Sequence, residues 1–323
     1  MATDEQNASV ELAPDSVLPV AVSSLRASQL NFDLYVRPEI CEPPKLYREK
    51  SFPLEAADLK RLRERGVETL FVANSDYAAY RTHVLDGLAD DSSLEPTERY
   101  NIVREVYREA FDTAFQGESL DPMLQFTGEF SKDLADTICE NDIVMSDLHS
   151  LMEHDSGTYT HCANVSTYSL ALAKAMGLAD LAQLQAVATG AILHDIGKRA
   201  VQLSTLNKPG RLSPEQRAEI ERHPLIGFRD LVLREEASWA PLMMVYQHHE
   251  RIDGKGYPVG VPGKEIHDWA KICSVADVFH ALTSERPYRT PMLAEEALQF
   301  LEKQADAMFD PETVRCWTMT LRN

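Results

Sequence analysis

A mainly helical protein is expected from this sequence, with an all-helical bundle in the C-terminal half and a smaller α/β unit ahead of it. Three observations predict this. Strand-like apolar runs are confined to the part before residue 90. From about residue 95 onward the apolar residues recur at helical spacing, with no alternating pattern. Helix start and stop signals punctuate that second part, and 323 residues suffice for two cores.

Taken in order, residues 1–16 are polar and acidic (Asp4, Glu5, Glu11, Asp15) and predict a flexible tail. No charged stretch there leads into an apolar one, which argues against a secretory signal. Residues 17–90 form the small α/β unit. Val17–Val22 and Phe32–Val36 read as strands, Pro43–Pro44 as a turn, Leu54–Arg65 as an amphipathic helix ended by Gly66, and Val67–Ala73 as another strand. Asp90-Asp91-Ser92-Ser93 reads as a linker. The connecting helices over 95–150 are expected to break between Gly117 and Pro122. They could transmit a signal, form a homodimer seam or meet a signalling partner, or simply pack on the bundle. Residues 151–323 then read as helix after helix.

Composition narrows the function classes. A formal net charge of −19 weighs against non-specific binding to DNA, RNA or an anionic membrane. Apolar runs such as Ala240–Tyr246 fall far short of the ~20 residues a membrane-spanning helix needs. The cysteines (Cys41, Cys139, Cys162, Cys273, Cys316) are scattered, odd in number and never paired as C-x-x-C. That fits reduced thiols in a cytoplasmic protein, not a disulfide framework or a zinc–thiolate site.

The chemistry concentrates in one set: His161, His194-Asp195, His223, His248-His249 and Asp277. His161 begins a helical stripe with Val165, Tyr168 and Leu172. His194 and Asp195 close a helix whose apolar face runs through Leu184, Val187 and Ala191, and Gly197 is expected to stop it. Ser213-Pro214-Glu215-Gln216 is a capping box opening a helix expected to end at His223-Pro224. Asp277 sits in the apolar run Ile272–Phe279, where an unpaired carboxylate would cost several kcal/mol and a metal would remove that penalty. Any one of these histidines alone is more often a hydrogen-bonded core residue than a ligand, so the case rests on the set. His83, His149, His154, His267 and His280 receive the ordinary structural reading. Imidazole and carboxylate donors without thiolates suit iron, manganese or zinc. Two such ions ~3.5–4 Å apart would hold a bridging hydroxide and clamp both oxygens of an in-line displacement at phosphorus.

These residues lie in blocks that resemble a known family. His194-Asp195-Ile196-Gly197-Lys198 is similar to the core of the HD superfamily. The run from His248 to Pro258, with Gly256-Tyr257-Pro258 at its end, resembles the signature of the HD-GYP subfamily. Ala276-Asp277-Val278-Phe279 through Arg286-Pro287-Tyr288-Arg289 completes the likeness, which spans roughly residues 150–315.

The resemblance implies an HD-type helical bundle with phosphodiesterase activity, opening cyclic di-GMP to pGpG and often GMP. It also implies His161, His194, Asp195, His223, His248, His249 and Asp277 as metal ligands, with Asp195 bridging and Lys198 facing the phosphate. Members with three metals carry a glutamate four residues before the first histidine. Gly157 stands there, so two divalent ions are expected. Lys208, Arg251, Tyr257, Arg286 and Arg289 are candidate substrate contacts, because they gather cationic or stacking groups around the blocks of an otherwise acidic chain. A slow, metal-filled site that senses cyclic di-GMP, or hydrolysis of another cyclic dinucleotide, remains an alternative. The small N-terminal unit would then be regulatory.

Overall fold

The computed structural model describes residues 16–37, 43–90, 94–117, 119–140, 145–152, 157–206, 208, 210–234, 238–285 and 290–322. The expected tail therefore lies almost entirely outside the described residues, as do 91–93 of the expected linker and both Arg286 and Arg289. By contact the chain divides into two compact units, Met1–Ala110 and Phe111–Asn323. The division falls inside a helix of the connecting segment, away from either of its ends.

The first unit is built on a four-stranded antiparallel sheet of β1 (Val17–Ala21), β2 (Leu34–Val36), β3 (Lys45–Arg48) and β4 (Thr69–Ala73), in the order β1-β4-β2-β3. β1 pairs with β4 from Val17↔Ala73 to Ala21↔Thr69. Period-two alternation turns Leu70 and Val72 of β4 inward, where both are fully buried. Leu34 of β2 and Val20 of β1 are buried as well. α1 (Ala56–Glu64) starts two residues later than its apolar pattern suggests, because Glu55 and Asp58 form a reciprocal cap across its first turn. α2 (Tyr77–Asp90) and the first part of α3 (Pro96–Gln116) contribute Tyr80, Val84, Tyr100, Val103 and Tyr107 to the unit's core. β3 and α2 are absent from the sequence reading. Lys45–Arg48 is short and largely exposed, so its pairing with β2 supplies the strand where its own pattern does not.

The second unit is all helical. It comprises α4 (Asp121–Glu140), α5 (Met145–Leu151), α6 (Thr158–Ala175), α7 (Leu181–Leu193), α8 (Leu203–Leu206), α9 (Pro214–Ile220), α10 (His223–Val232) and α11 (Trp239–Gln247). α12 (Asp268–Thr283), α13 (Ala294–Gln304) and α14 (Pro311–Arg322) complete it. α6 is buried on nearly every side, from Tyr159 to Ala173, which explains its weak amphipathicity and makes it the central pillar. It packs on α7, α12 and α14, while α11 lies against α7, α10 and α12. Tyr168, Phe279 and Trp317 pack with ring centroids 5.2–5.5 Å apart, tying α6, α12 and α14 into one core. No helix among the described residues is long and apolar enough to cross a membrane.

Two expectations are corrected. His223-Pro224 does not end the capped helix: α9 stops at Ile220, and His223-Pro224 opens α10, where proline is tolerated at the first turn. Gly197 does not stop α7, which ends at Leu193, but lies within a 3-10 turn over Ile196–Ala200. A Cβ on Gly197 would fall into the His223 carbonyl oxygen and 2.7 Å from the Gly227 nitrogen. Glycine there lets the turn after Asp195 lie directly against α10, which brings His223 to the carboxylate.

Candidate metal centre

Five helix segments converge on one buried point. α6 supplies His161, the end of α7 supplies His194 and Asp195, and the start of α10 supplies His223. The end of α11 supplies His248 and His249, and α12 supplies Asp277. His194, His223 and His248 are essentially without solvent contact, and Asp195 is 2% exposed.

Backbone carbonyls set the direction of three of the rings. His194 Nδ1 lies 2.6 Å from the Ala191 oxygen, and His223 Nδ1 lies 2.7 Å from the Ile220 oxygen. His248 Nδ1 lies 3.1 and 3.0 Å from the oxygens of Met244 and Val245. A carbonyl only accepts, so each Nδ1 carries a proton, which leaves Nε2 as the atom whose lone pair a ring can turn inward.

Those lone pairs face other acceptors. Asp195 Oδ2 is 3.3 Å from the Nε2 atoms of both His161 and His194, while its Oδ1 is 3.2 Å from His223 Nε2 and 3.9 Å from His248 Nε2. Asp277 Oδ1 lies 3.3 Å from His161 Nε2. His161 and His194 meet Nε2 to Nε2 at 3.2 Å, as do His223 and His248. Such pairs repel unless a cation or proton lies between them. Asp195 Oδ1 is buried and accepts no hydrogen bond. The donor set fits metal: neighbouring ligand atoms on one ion, at bonds of about 2.0–2.2 Å, sit about 3.0–3.5 Å apart. Two groups could each hold an ion, Asp195 with His223, His248 and His249, and His161 with His194 and Asp195. Asp195 belongs to both through different oxygens.

The electrostatics follow from this crowding. Burial opposes the charge of Asp195, yet Lys198 and the rings of His194 and His161 hold its carboxyl well below the usual range. Asp277 is likewise lowered against the cost of burial by His161, His194 and His249. Burial pushes His249 down to about 3, and lowers His248 strongly. Lys198 Nζ lies 2.5 Å from Asp195 Oδ2; burial disfavours its charge, but Asp195 and Asp277 keep it raised.

Of the expected substrate contacts, Tyr257 is at the centre, its ring 4.6 Å from that of His249. Arg251 is forked onto Asp253, with bonds of 3.0 and 2.6 Å, and Lys208 Nζ is bonded to Gln216 at 2.6 Å. Three further residues carry structure here: Glu250, which has no role in the sequence reading, Gly256, expected to let a tight loop approach the ligand, and His280, given the ordinary structural reading. Glu250, buried, accepts the backbone N–H groups of Val259, Gly260 and Val261 at 2.8–3.2 Å and so holds the loop carrying Tyr257. Gly256 packs its α-carbon against the His249–Arg251 backbone, where any Cβ would clash. The close approach that Gly256 permits is thus to the chain itself. His280 is the buried, hydrogen-bonded histidine its ordinary reading describes, and its partner is His161 itself; its spacing of three from Asp277 on one helix is the signal of that closeness.

A sequence description of the HD domain matches residues 139–313. The chain is 33% identical over 207 residues to a cyclic di-GMP phosphodiesterase of Pseudomonas aeruginosa, covering 64% of this chain and 49% of that protein. It is 35% identical to a 3'3'-cGAMP-specific phosphodiesterase of Vibrio cholerae, covering 48% of this chain and 33% of that one. The chain thus spans half or less of the length of these curated relatives. Its fold is that of a solved HDG"Y"P protein of Bdellovibrio bacteriovorus, at a TM-score of 0.67 and 22% identity, covering 95% of this chain and all of that one.

Proposed function

This chain belongs to the HD domain family, and from that premise we propose that it is a metal-dependent phosphodiesterase that opens cyclic di-GMP to pGpG or GMP. The observation that carries the proposal is the pair of Asp195 oxygens turned to two separate imidazole groups in one buried site. His161, His194, Asp195 and Asp277 would hold one divalent ion, and Asp195, His223, His248 and His249 the other. Iron and manganese suit these donors best, with zinc compatible. Bound there, the ions supply Lewis acidity and an activated water for attack at phosphorus.

The chain's own residues prepare that chemistry. The carbonyl-bonded rings arrive already oriented, and Asp195 spaces the two groups. The Lys198 side chain is 28% exposed, so its ammonium can leave Asp195 and neutralise charge on a phosphoryl oxygen. Tyr257, held by the Glu250-bonded loop, would offer a face to a guanine or wall the pocket. Lys208, Arg251, Arg286 and Arg289 are proposed as further substrate contacts, Arg251 once released from Asp253. The small unit over 17–90 would regulate the bundle, and the reading puts the protein in the cytoplasm.

A mixed cyclic dinucleotide is the second reading, favoured by the comparable identity to the 3'3'-cGAMP-specific relative. Anaerobic purification, elemental analysis and turnover of both cyclic dinucleotides on one sample test the proposal. Two equivalents of metal with pGpG or GMP released support it. Metal with binding but no turnover points to a sensor. Failure to hold metal after reconstitution with iron or manganese overturns it.

A further inference from the structure

Resting on the metal-centre reading above, we propose that His280, backed by Ser284, is the positioning residue that fixes the tautomer of His161 and so makes it a ligand. His161 differs from His194, His223 and His248 in its support. Those three rest their Nδ1 atoms on backbone carbonyls of their own chain segments. His161 Nδ1 instead meets the Nδ1 of His280 at 2.9 Å, in a fully enclosed contact between α6 and α12. A carbonyl can only accept, whereas an imidazole nitrogen accepts or donates according to where its proton sits. The orientation of His161 is therefore decided by the state of a second side chain.

For His161 to present an Nε2 lone pair, its proton must be on Nδ1 and must be donated to His280 Nδ1. His280 then carries its own proton on Nε2, and that N–H needs an acceptor. Ser284 Oγ lies 2.9 Å from His280 Nε2, is itself buried, and sits at the end of α12, where its N–H bonds the His280 carbonyl at 3.0 Å. The resulting chain runs from His161 Nδ1–H to His280 Nδ1 and from His280 Nε2–H to Ser284 Oγ, so both imidazole N–H donors meet an acceptor. Reversing the proton on His280 would set two N–H groups against each other at 2.9 Å or move the His161 proton to Nε2, where it blocks the metal. One face of α12 thus delivers both a carboxylate, Asp277, and the group that aims the neighbouring imidazole three residues later.

The test compares full-length wild type with His280→Phe and His280→Asn. Each is stripped with a chelator, then titrated anaerobically with iron(II) and, separately, with manganese(II). Phenylalanine keeps a ring but has no acceptor; the asparagine carbonyl oxygen stands where Nδ1 does. The expected result is two sites in wild type, with one of the two weakened about 10- to 100-fold in His280→Phe and restored to within about threefold in His280→Asn. If His280→Phe binds both ions as tightly as wild type, or if a folded His280→Asn is as weak as the phenylalanine variant, His280 only fills space and the inference is wrong. Should His280→Phe fail to fold by circular dichroism, His280→Leu takes its place, since leucine also fills the space and accepts no hydrogen bond. Wild type that binds neither metal overturns the metal-centre reading along with this one, whereas two intact sites in every variant overturn this one only.

Discussion

The Lys198 ammonium lies 2.5 Å from Asp195 Oδ2, on the oxygen that also faces His161 and His194. Its charge stabilises the carboxylate when nothing else does, yet its reach extends to solvent. With a cation on Oδ2, that lysine becomes the nearest mobile positive group to an incoming phosphate. Lys198→Ala should therefore lower kcat by about 10²-fold while leaving metal content unchanged, measured by elemental analysis and turnover on the same preparation. Loss of metal in that variant would show that Lys198 supports the ligands instead.

Asp195→Ala should remove metal and activity together. Its two oxygens are the only ones that face both imidazole groups among the described residues, so no neighbour can replace them. Asparagine at this position keeps the shape but halves the acceptor capacity and removes the charge. Asp195→Asn should accordingly retain at most one equivalent of metal. Full activity in either variant would refute the bridging assignment.

Glu250 controls a loop without touching the metal-facing atoms. Its carboxylate accepts from Val259, Gly260 and Val261, and the loop so held carries Tyr257 against His249. Hydrogen bonds to a charged group contribute about 1.5–3 kcal/mol, and removing this acceptor leaves three part-buried N–H groups without their shared partner. Glu250→Ala should lower stability by about 2–3 kcal/mol in denaturant unfolding, on that basis. It should raise KM more than it lowers kcat, because substrate walls loosen while the ligands stay.

Much of this site is legible in the sequence. Adjacent His-Asp and His-His pairs at helix ends, and a carboxylate inside the apolar run around Asp277, each violate ordinary patterning and so mark function. What escaped had a common cause. The roles of Gly197 and Gly256 lie in the distance between backbones far apart or folded back in sequence, which no local pattern reports. His280 reads like any buried histidine, because its contact with His161 is made across to α6 and no local pattern reports it. β3 escaped for the opposite reason, since its residues are largely exposed and its pairing with β2 defines it. The presence of α1 and the cap at Ser213 are readable because caps and apolar stripes are local.

Acid should unfold the metal-free protein sooner than its composition suggests. Burial holds His249 at about 3 and pushes His248 far down, whereas in the unfolded chain both would titrate near 6.5. Between those limits the unfolded state binds protons that the folded state refuses, so stability is present above pH 6.5 and is lost as pH falls below it. The slope is about 1.4 kcal/mol per pH unit for each such histidine. His194 shifts the other way: burial opposes its charge, but Asp195 raises it. Its proton therefore adds stability that is complete below pH 6.5 and fades as pH rises above it, a partial offset that two lowered rings outweigh. Chelator-treated protein should therefore melt at a distinctly lower temperature at pH 5.5 than at pH 7.5, and His249→Gln should show a smaller drop. Adding iron(II) or manganese(II) at pH 7.5 should raise the melting temperature, because the ion binds the same neutral imidazoles that burial has kept free of protons. An unchanged melting temperature between the two pH values would mean that these rings are hydrated in the metal-free state, and that the site closes only around its ions.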